Sequence, residues 1–495
     1  MIFHYLYQYI KTGPFTTYFF LLVTAIMLGK CLLRVRWPFS TKSTLLAIIV
    51  LGLTLRIIWL LYSSHVPQTS WNSKHMLEND LINVHAIELT HGTWFHDQNG
   101  LPSGRRPIGY PLLLGLCYKI FGINLKVAWT LNLALYVVTI IVLFKIAQKI
   151  FGPIIALVAA FLFAIYPMSI YSIKLITDEH LFLPVWYGGL LLFLMILEGR
   201  RVKLDWLWLG LIFGYATMIR TQTIFMPLVI GISYWLIKGS LKKAIIKLVL
   251  VALIMQLINL PWAIRNYRAW GVPVLYTATG VFIYAQVNSL AGPEGGGHIP
   301  KVGEPGHSPE LDAAFASGNE GRIHQVANRE MIRWITTHPR EFLVMGTSRL
   351  LDFMNFNRKG GIWAIWYQFY PGSFDPARPI PQRLRDFLEE YAFVFYYIIF
   401  FSSLFACIIL CVRWKNLSIT SKNGLIVLGL CFLFWFLEHM VIYPDRKYRF
   451  PLEPLMLITT AYFFYTLNIS HCKKFKLNII NYISKISNKV KTRCE

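Results

Sequence analysis

Apolar stretches long enough to cross a bilayer recur along this chain, and the short loops between them alternate in charge. A hydrocarbon core of roughly 30 Å needs about twenty apolar residues in a helix. Stretches of that kind fall at roughly 15–34, 43–63, 126–147, 153–171, 180–198, 204–219, 223–238, 244–263, 391–412, 424–443 and 451–469. Alternate loops are basic: Arg34, Arg36 and Lys42; Lys145 and Lys149; Arg200, Arg201 and Lys203; Lys238, Lys242, Lys243 and Lys247; Arg413, Lys415 and Lys422; then the tail. Short loops rich in Lys and Arg stay on the inner side of a membrane. The outer side therefore receives Glu78, Asp80, Asp178, Glu179, Arg220, the segment 264–390 and Asp445-Arg446. An odd number of spans places the N-terminus outside and the C-terminus inside. The predicted fold class is an all-α polytopic membrane protein of about eleven transmembrane helices. Outer-face interfacial helices and a small mixed periplasmic loop domain complete it.

The organisation follows from these spans. Residues 1–42 form an extra N-terminal span and inner basic loop, and 43–263 a transmembrane core whose first outer loop is 64–125. Residues 264–390 form an outer loop domain, and 391–470 the last transmembrane helices. The apolar part of the first outer loop, from Pro107 to Phe121, is shorter than a span and predicts an interfacial or re-entrant helix. The stretches 204–219 and 223–238 are short and separated only by Arg220 to Gln222, so they read as a bent hairpin unless one is re-entrant. In the outer domain, Ser308 before Pro309 predicts a helix start, as do Thr337 and His338 before Pro339. The tail 471–495 carries Ile479, Ile483, Ile486 and Val490 at helical spacing with lysines between, a pattern for a helix lying on an anionic inner leaflet.

Composition excludes several classes. A chain that is 56% hydrophobic and 15% charged is a poor soluble protein. The net charge of +24 is explained by the inner loops, and no nucleic-acid-binding motif accompanies it. The seven cysteines lack paired spacing across the outer loops, so no disulfide framework is expected. The chain has no CxxC pair, HExxH, phosphate-binding loop or GxSxG. Paired repeats, which transporters often show, are absent too.

The residues that could carry chemistry cluster on the outer side. Glu78-Asn79-Asp80 places two carboxylates just after the second span. One could act as general base toward a hydroxyl, and its neighbour could hold a divalent cation; ordinary solvated acids are the plain alternative. Asp178-Glu179 begins the span near His180, where acids also suit the helix dipole. Arg105-Arg106, Arg220, Arg265 and Arg446 with Lys447 and Arg449 could bind phosphate or reach lipid headgroups. Arg56 lies inside a span and is a functional or pairing candidate, and Glu438-His439 is either a self-satisfying buried pair or a ligand site.

In this order the pieces resemble the integral-membrane glycosyltransferases that use polyprenyl-phosphate sugars, the type C group of the protein mannosyltransferases and the lipid A aminoarabinose transferases. Glu78-Asn79-Asp80 is similar to the acidic motif of their first outer loop, and Asp178-Glu179 falls at their second acidic position. Arg106-Pro107-Ile108-Gly109-Tyr110-Pro111 resembles their R-P-P-G-Y-P, with Ile108 for the second proline. Met218 to Thr221 resembles L-x-R-P/T, Pro261 to Asn266 resembles P-W-x-x-R-N, and Asp445 to Pro454 resembles D-x-R-Y-R-x-P-x-x-P. The resemblance covers roughly 43–470; the first span and the variable loop around 290–380 depart from it.

What the resemblance implies is transfer of a single sugar from a polyprenyl-phosphate donor to a hydroxyl of a cell-envelope acceptor, with inversion. Asp80, or alternatively Glu78, would be the base. Asp178 and Glu179 would orient the acceptor or a metal, with Glu78, Asp80 and Asp178 as metal candidates. Arg220, Arg265, Arg446 and Arg106 would bind the donor phosphate. No cofactor is required, though a divalent Mg or Mn ion is allowed. The partners are the lipid donor, the envelope acceptor and the bilayer, with no nucleic acid. The implied location is a bacterial inner membrane with the active face in the periplasm. A flippase for lipid-linked sugars and an oligosaccharide ligase or polymerase are the alternatives.

Overall fold

The structure is a computed structural model that describes residues 40–64, 78–97, 100–199, 204–287, 298–354, 363–364, 382–441 and 446–467. Helix α1 is Thr41–Ser64, α2 Glu78–Thr90, α3 Gly109–Phe121, α4 Leu125–Phe151 and α5 Pro153–Ala164. They are followed by α6 Pro167–Tyr171, α7 Glu179–Leu197, α8 Asp205–Ile219, α9 Met226–Lys238 and α10 Leu241–Trp270. Between α10 and the next long helix come α11 Gly280–Val287, α12 Pro309–Ala316, α13 Glu320–Thr337 and α14 Pro339–Phe353. The chain then returns through α15 Gln382–Val412, α16 Ile419–Glu438, the short α17 Arg446–Arg449 and a last helix α18 at 453–467.

Ten of the eleven expected spans thus coincide with helical segments, and the first, 15–34, lies outside the described residues, as does the tail. By length and apolarity, α1, α4, α7, α10, α15 and α16 can each cross a membrane, and α5 and the segment from α6 to Lys174, bent by 52°, form either a broken span or a re-entrant loop. The protein is therefore an integral membrane protein. Its long helices present apolar side chains outward, among them Leu46 and Leu61 of α1 and Leu253 and Leu257 of α10, each about as a lipid-facing surface requires. Among the described residues there is no strand, only an isolated bridge between His96 and Pro102. The loop domain expected to be mixed is helical in its described part.

Local chemistry sets the helix ends. The Asn124 side chain accepts from the Lys126 amide at 2.9 Å and starts α4. Ser308 accepts from the Leu311 amide and starts α12, with Pro309 at its first turn, as the sequence predicts. Helix α13 stops at Thr337 and α14 starts at Pro339. Within the bundle, where lipid is as apolar as a side chain, close packing replaces the hydrophobic effect as the driving force. Small residues supply it: a Cβ on Gly214 would lie 2.1 Å from Ile258 of α10, so α8 and α10 meet backbone to side chain there. The short α3 packs on α2 in the same manner, through Gly115 against the Ala86 carbonyl, and Tyr118 Oη donates to Asn83 Oδ1 at 2.6 Å. At thirteen residues α3 is about 20 Å long, too short to span.

Candidate functional site

The centre of the site is a helix break. Helix α8 ends at Ile219, and Arg220 leaves it in extended conformation (φ −143°, ψ 118°) before a 3-10 turn at Thr221–Phe225. Its guanidinium turns toward the first residue of α7: Nη2 donates to Glu179 Oε1, and both side chains are buried. Lys447 Nζ lies 3.8 Å from the same oxygen. The Arg220 guanidinium also sits over the rings of Phe182 (5.6 Å) and Tyr448 (5.4 Å). Two cations thus converge on one buried carboxylate. Arg220 Nε and Nη1 and Glu179 Oε2 have no hydrogen-bond partner. Asp178 is buried at the N-cap position of α7. Arg220, Glu179 and Asp178 are therefore neighbours, and Lys447 joins them although its sequence position gave it only group membership.

Two sets of contacts hold this break in place. Gly109 touches the backbone of Met218 and Ile219, where a Cβ would approach within 2.8 Å, so only glycine lets α3 lie against the residues leading into Arg220. Tyr215 Oη donates to the Gly109 carbonyl at 3.0 Å. Next along α3, Tyr110 Oη donates to Asn132 Oδ1 at 2.6 Å, while Asn132 Nδ2 donates to the carbonyls of Ile173 and Leu175, each at 3.0 Å. The segment Arg106 to Pro111 therefore braces both chain passages that deliver the site, one ending at Arg220 and one leading into Asp178. Its role here is positional.

The other candidate arginines are placed differently. Arg265 donates to the carbonyls of Ser103 (2.9 Å) and Phe95 (2.7 Å) and lies by the rings of Trp262 and Trp270. Its neighbours in Pro261 to Asn266 do likewise: Trp262 donates to Tyr276 O at 2.6 Å and Asn266 to Val274 O at 3.0 Å. That motif ties the segments around Phe95–Ser103 and Val274–Tyr276 to α10. Arg449 pairs with Glu453 at 2.8 Å, donates to Phe353 O at 3.1 Å and stacks on Tyr396. Arg106 is half-buried near the first outer loop, and Arg105 pairs with Glu320 of α13 at 2.8 Å. Glu320 also accepts from the Gly104 amide at 2.9 Å and so moors α13 to the segment before α3, a tie its sequence context did not reveal.

Glu78 and Asp80 open α2, but their side chains, like those of Asp445 and Arg446, lie outside the described residues. At the far end of α2, Glu88 accepts from His85 Nδ1 (2.9 Å), from His96 Nδ1 (3.1 Å) and from the His96 amide (3.2 Å). Arg56 is not paired with an acid. It donates to the carbonyls of Gly52 and Ala164 (2.9 Å each) and Phe163 (3.3 Å) and to Ser169 Oγ (2.7 Å), and its guanidinium lies 3.5 Å from the Tyr136 ring centre. Glu438 and His439 do not satisfy each other: His439 Nδ1 donates to Trp435 O at 2.8 Å, and Glu438 Oε2 and His439 Nε2 have no partner.

Among the described residues no group of three or more His, Cys, Asp or Glu is gathered closely enough for a metal ion. Glu179, already facing Arg220 and Lys447, is a poor cation ligand because the two positive charges oppose a third.

Residues 105–262 match the sequence model of the dolichyl-phosphate-mannose-protein mannosyltransferase family. This bears out the resemblance to glycosyltransferases with lipid-linked sugar donors over that part of the chain. A comparison with curated protein sequences returns no match. Similar solved structures include the archaeal oligosaccharyltransferase AglB from Archaeoglobus fulgidus in complex with an inhibitory peptide and a dolichol-phosphate. It is 11% identical with a TM-score of 0.49, over 89% of this chain and 51% of that one. The same enzyme in complex with Zn and sulfate is 11% identical with a TM-score of 0.47, over 89% and 51%. ArnT from Cupriavidus metallidurans bound to undecaprenyl phosphate is 13% identical with a TM-score of 0.38, over 86% and 78%. The chain spans about half the length of the archaeal enzyme.

Proposed function

We propose that the protein is a membrane glycosyltransferase that moves one sugar from a polyprenyl-phosphate donor to a hydroxyl of a cell-envelope lipid, polysaccharide or protein. The observation that carries this reading is a coincidence: the region similar to the mannosyltransferase family, 105–262, contains the buried Glu179–Arg220 pair and the segments that brace it. A structural membrane protein has no use for a buried guanidinium with idle donors beside a second cation.

The chemistry needs few groups. The acceptor oxygen attacks the anomeric carbon, the bond from that carbon to the phosphate oxygen breaks, and the electron pair leaves on polyprenyl phosphate. The phosphate is already a stable anion, so the protein supplies cations for it and a base for the acceptor proton. Arg220 is the first candidate for the phosphate, since Nε and Nη1 are unengaged, and Lys447 adds charge beside it. Arg446 and Arg106 remain candidates from the sequence. Arg265 is a weaker one, because its fork is spent on two carbonyls. Asp80, with Glu78 as alternative, is proposed as the base, and Asp178 as the group that orients the acceptor. Direct displacement inverts the anomeric centre. The proposed location is a bacterial inner membrane with the N-terminus and active face in the periplasm and the C-terminus in the cytoplasm.

The test is release of free polyprenyl phosphate by purified protein in nanodiscs, offered a panel of polyprenyl-monophosphate sugars and a cell-envelope extract. Acceptor-dependent release is expected, with a loss of about 10²-fold or more in Asp80→Asn. Wild-type release from Asp80→Asn removes the base assignment. Movement of intact lipid-linked sugar across the bilayer without release makes the protein a flippase.

A further inference from the structure

Arg349 belongs to none of the motifs discussed above. It lies on α14, in the outer segment, and is fully buried. One donor, Nη1, reaches the Met440 carbonyl at 2.9 Å. Nε and Nη2 have no partner, and no carboxylate pairs with it among the described residues. Burial pushes its guanidinium down to about 10, so it is still a cation at neutral pH. A buried cation without a counter-charge is costly and normally signals an anionic partner.

Its surroundings lead to the site. Helix α14 lies against the outer end of α16 through one face, Gly346, Arg349 and Phe353. A Cβ on Gly346 would meet Met440 at 3.1 Å. The Phe353 ring stacks on His439 at 4.0 Å, and His439 lies 6.2 Å from the Tyr448 ring. That same Tyr448 ring carries Arg220 at 5.4 Å. The chain of contacts Arg349, Met440, His439, Tyr448, Arg220 is continuous, and three of its side chains, Arg349, His439 and Arg220, keep buried nitrogens without partners.

We infer that Arg349 binds a phosphate monoester, the head of the polyprenyl carrier, from the outer-domain side of the Arg220 centre. This rests on the transferase reading for the identity of the lipid, but not for the need of an anion. A planar guanidinium with Nε and one Nη free presents two parallel donors, the geometry that binds two oxygens of one phosphate. Supplying it from α14 makes phosphate binding depend on the docking of the outer segment.

The experiment compares binding of a polyprenyl phosphate, the corresponding polyprenol and inorganic phosphate to full-length protein in nanodiscs by native mass spectrometry. Wild-type protein is expected to prefer the phosphate lipid over the polyprenol. Arg349→Met should lose that preference about tenfold or more while binding polyprenol normally, and Arg349→Lys should keep part of it. A merely structural arginine would lower both lipids together. Should Arg349→Met not fold, Arg349→Gln removes the same charge and keeps a donor. Retention of the wild-type preference within about twofold overturns the assignment. If the substitution abolishes only inorganic phosphate binding, the ligand is a soluble phosphate and the lipid assignment falls. Sugar transfer by wild-type protein with an unchanged preference in Arg349→Met defeats this inference alone. A phosphate preference lost in the variant, in a protein that transfers no sugar, defeats the transferase reading alone.

Discussion

The bundle contains two helix breaks that each bury an arginine, and the two use it in opposite ways. At the first, α5 stops at Ala164 ahead of Pro167; the Ala164 carbonyl leaves the helix ladder, and the Phe163 carbonyl keeps a 3.3 Å bond from the Tyr166 amide. Arg56 of α1 takes both, together with Gly52 O and Ser169 Oγ. At the second, Arg220 is itself the residue at the break, and its one hydrogen bond goes to a carboxylate. An arginine whose fork is spent on main-chain oxygens holds the chain and cannot accept an anion without undoing the fold. An arginine held by a carboxylate, with a lysine alongside, can exchange or share that partner. Burial of charge alone does not separate the two; the acceptors, and how much of the fork they leave free, do.

The largest effect should come from Arg220. Arg220→Met is expected to lower transfer about 10²- to 10³-fold, the range for losing one preorganised donor to a developing anion. It should also cost about 3–5 kcal/mol of stability, because Glu179 loses its hydrogen-bonded partner in a buried place. The double variant Glu179→Gln with Arg220→Met separates the two effects. Thermal unfolding in nanodiscs should recover in the double variant, and release of polyprenyl phosphate should not. Recovery of both would reduce Arg220 to a counter-ion and erase the distinction between the breaks.

Arg56 should show the reverse pattern. Arg56→Met leaves several buried acceptors bare, at about 1–3 kcal/mol for each that finds no other donor. Thermal stability should drop clearly, while transfer per folded molecule stays within about threefold of wild type, a difference worth well under 1 kcal/mol. A loss of transfer beyond about tenfold in a normally folded fraction would make the first break part of the catalytic apparatus as well.

The sequence made the bundle legible because period and length are local properties: the apolar stretches that became helices, the short helix after Pro107 and the starts at Ser308 and Pro339 are all written in runs of neighbouring residues. It also singled out Glu179 and Arg220, which the structure pairs. The roles inside each motif were less legible, because they depend on what lies across the fold. Arg265 and Arg220 look alike as outer-edge arginines, yet one meets carbonyls 162 and 170 positions away and the other a carboxylate. Arg56 read as a functional or pairing candidate, since a lone charge in a span does not show that a neighbouring helix will break beside it. Glu320 and Arg349 lie in the segment outside the resemblance, and nothing in their neighbours marks a buried tie or a buried cation.

A half-buried carboxylate sharpens the comparison from the acidic side, with the smallest effect. Glu88 is fully occupied by His85, His96 and a main-chain amide, and so resembles Arg56 more than Glu179. His85 is stacked on Phe95 at 3.9 Å, and burial lowers its pKa from the usual 6.5, with the hydrogen bond to Glu88 opposing that shift. The folded state therefore binds a proton at His85 less readily than the unfolded state does. Its contribution to stability is present above about pH 6.5 and is lost as pH falls below it. Hydrogen exchange over 78–97, corrected for the intrinsic rate, should report more frequent opening at pH 5.5 than at pH 7.5, while the helices around Arg56 stay unchanged. The increase should disappear in His85→Phe, which keeps the ring on Phe95 and has nothing to titrate. An equal rise in that variant would mean that His85 is not the group that responds to acid.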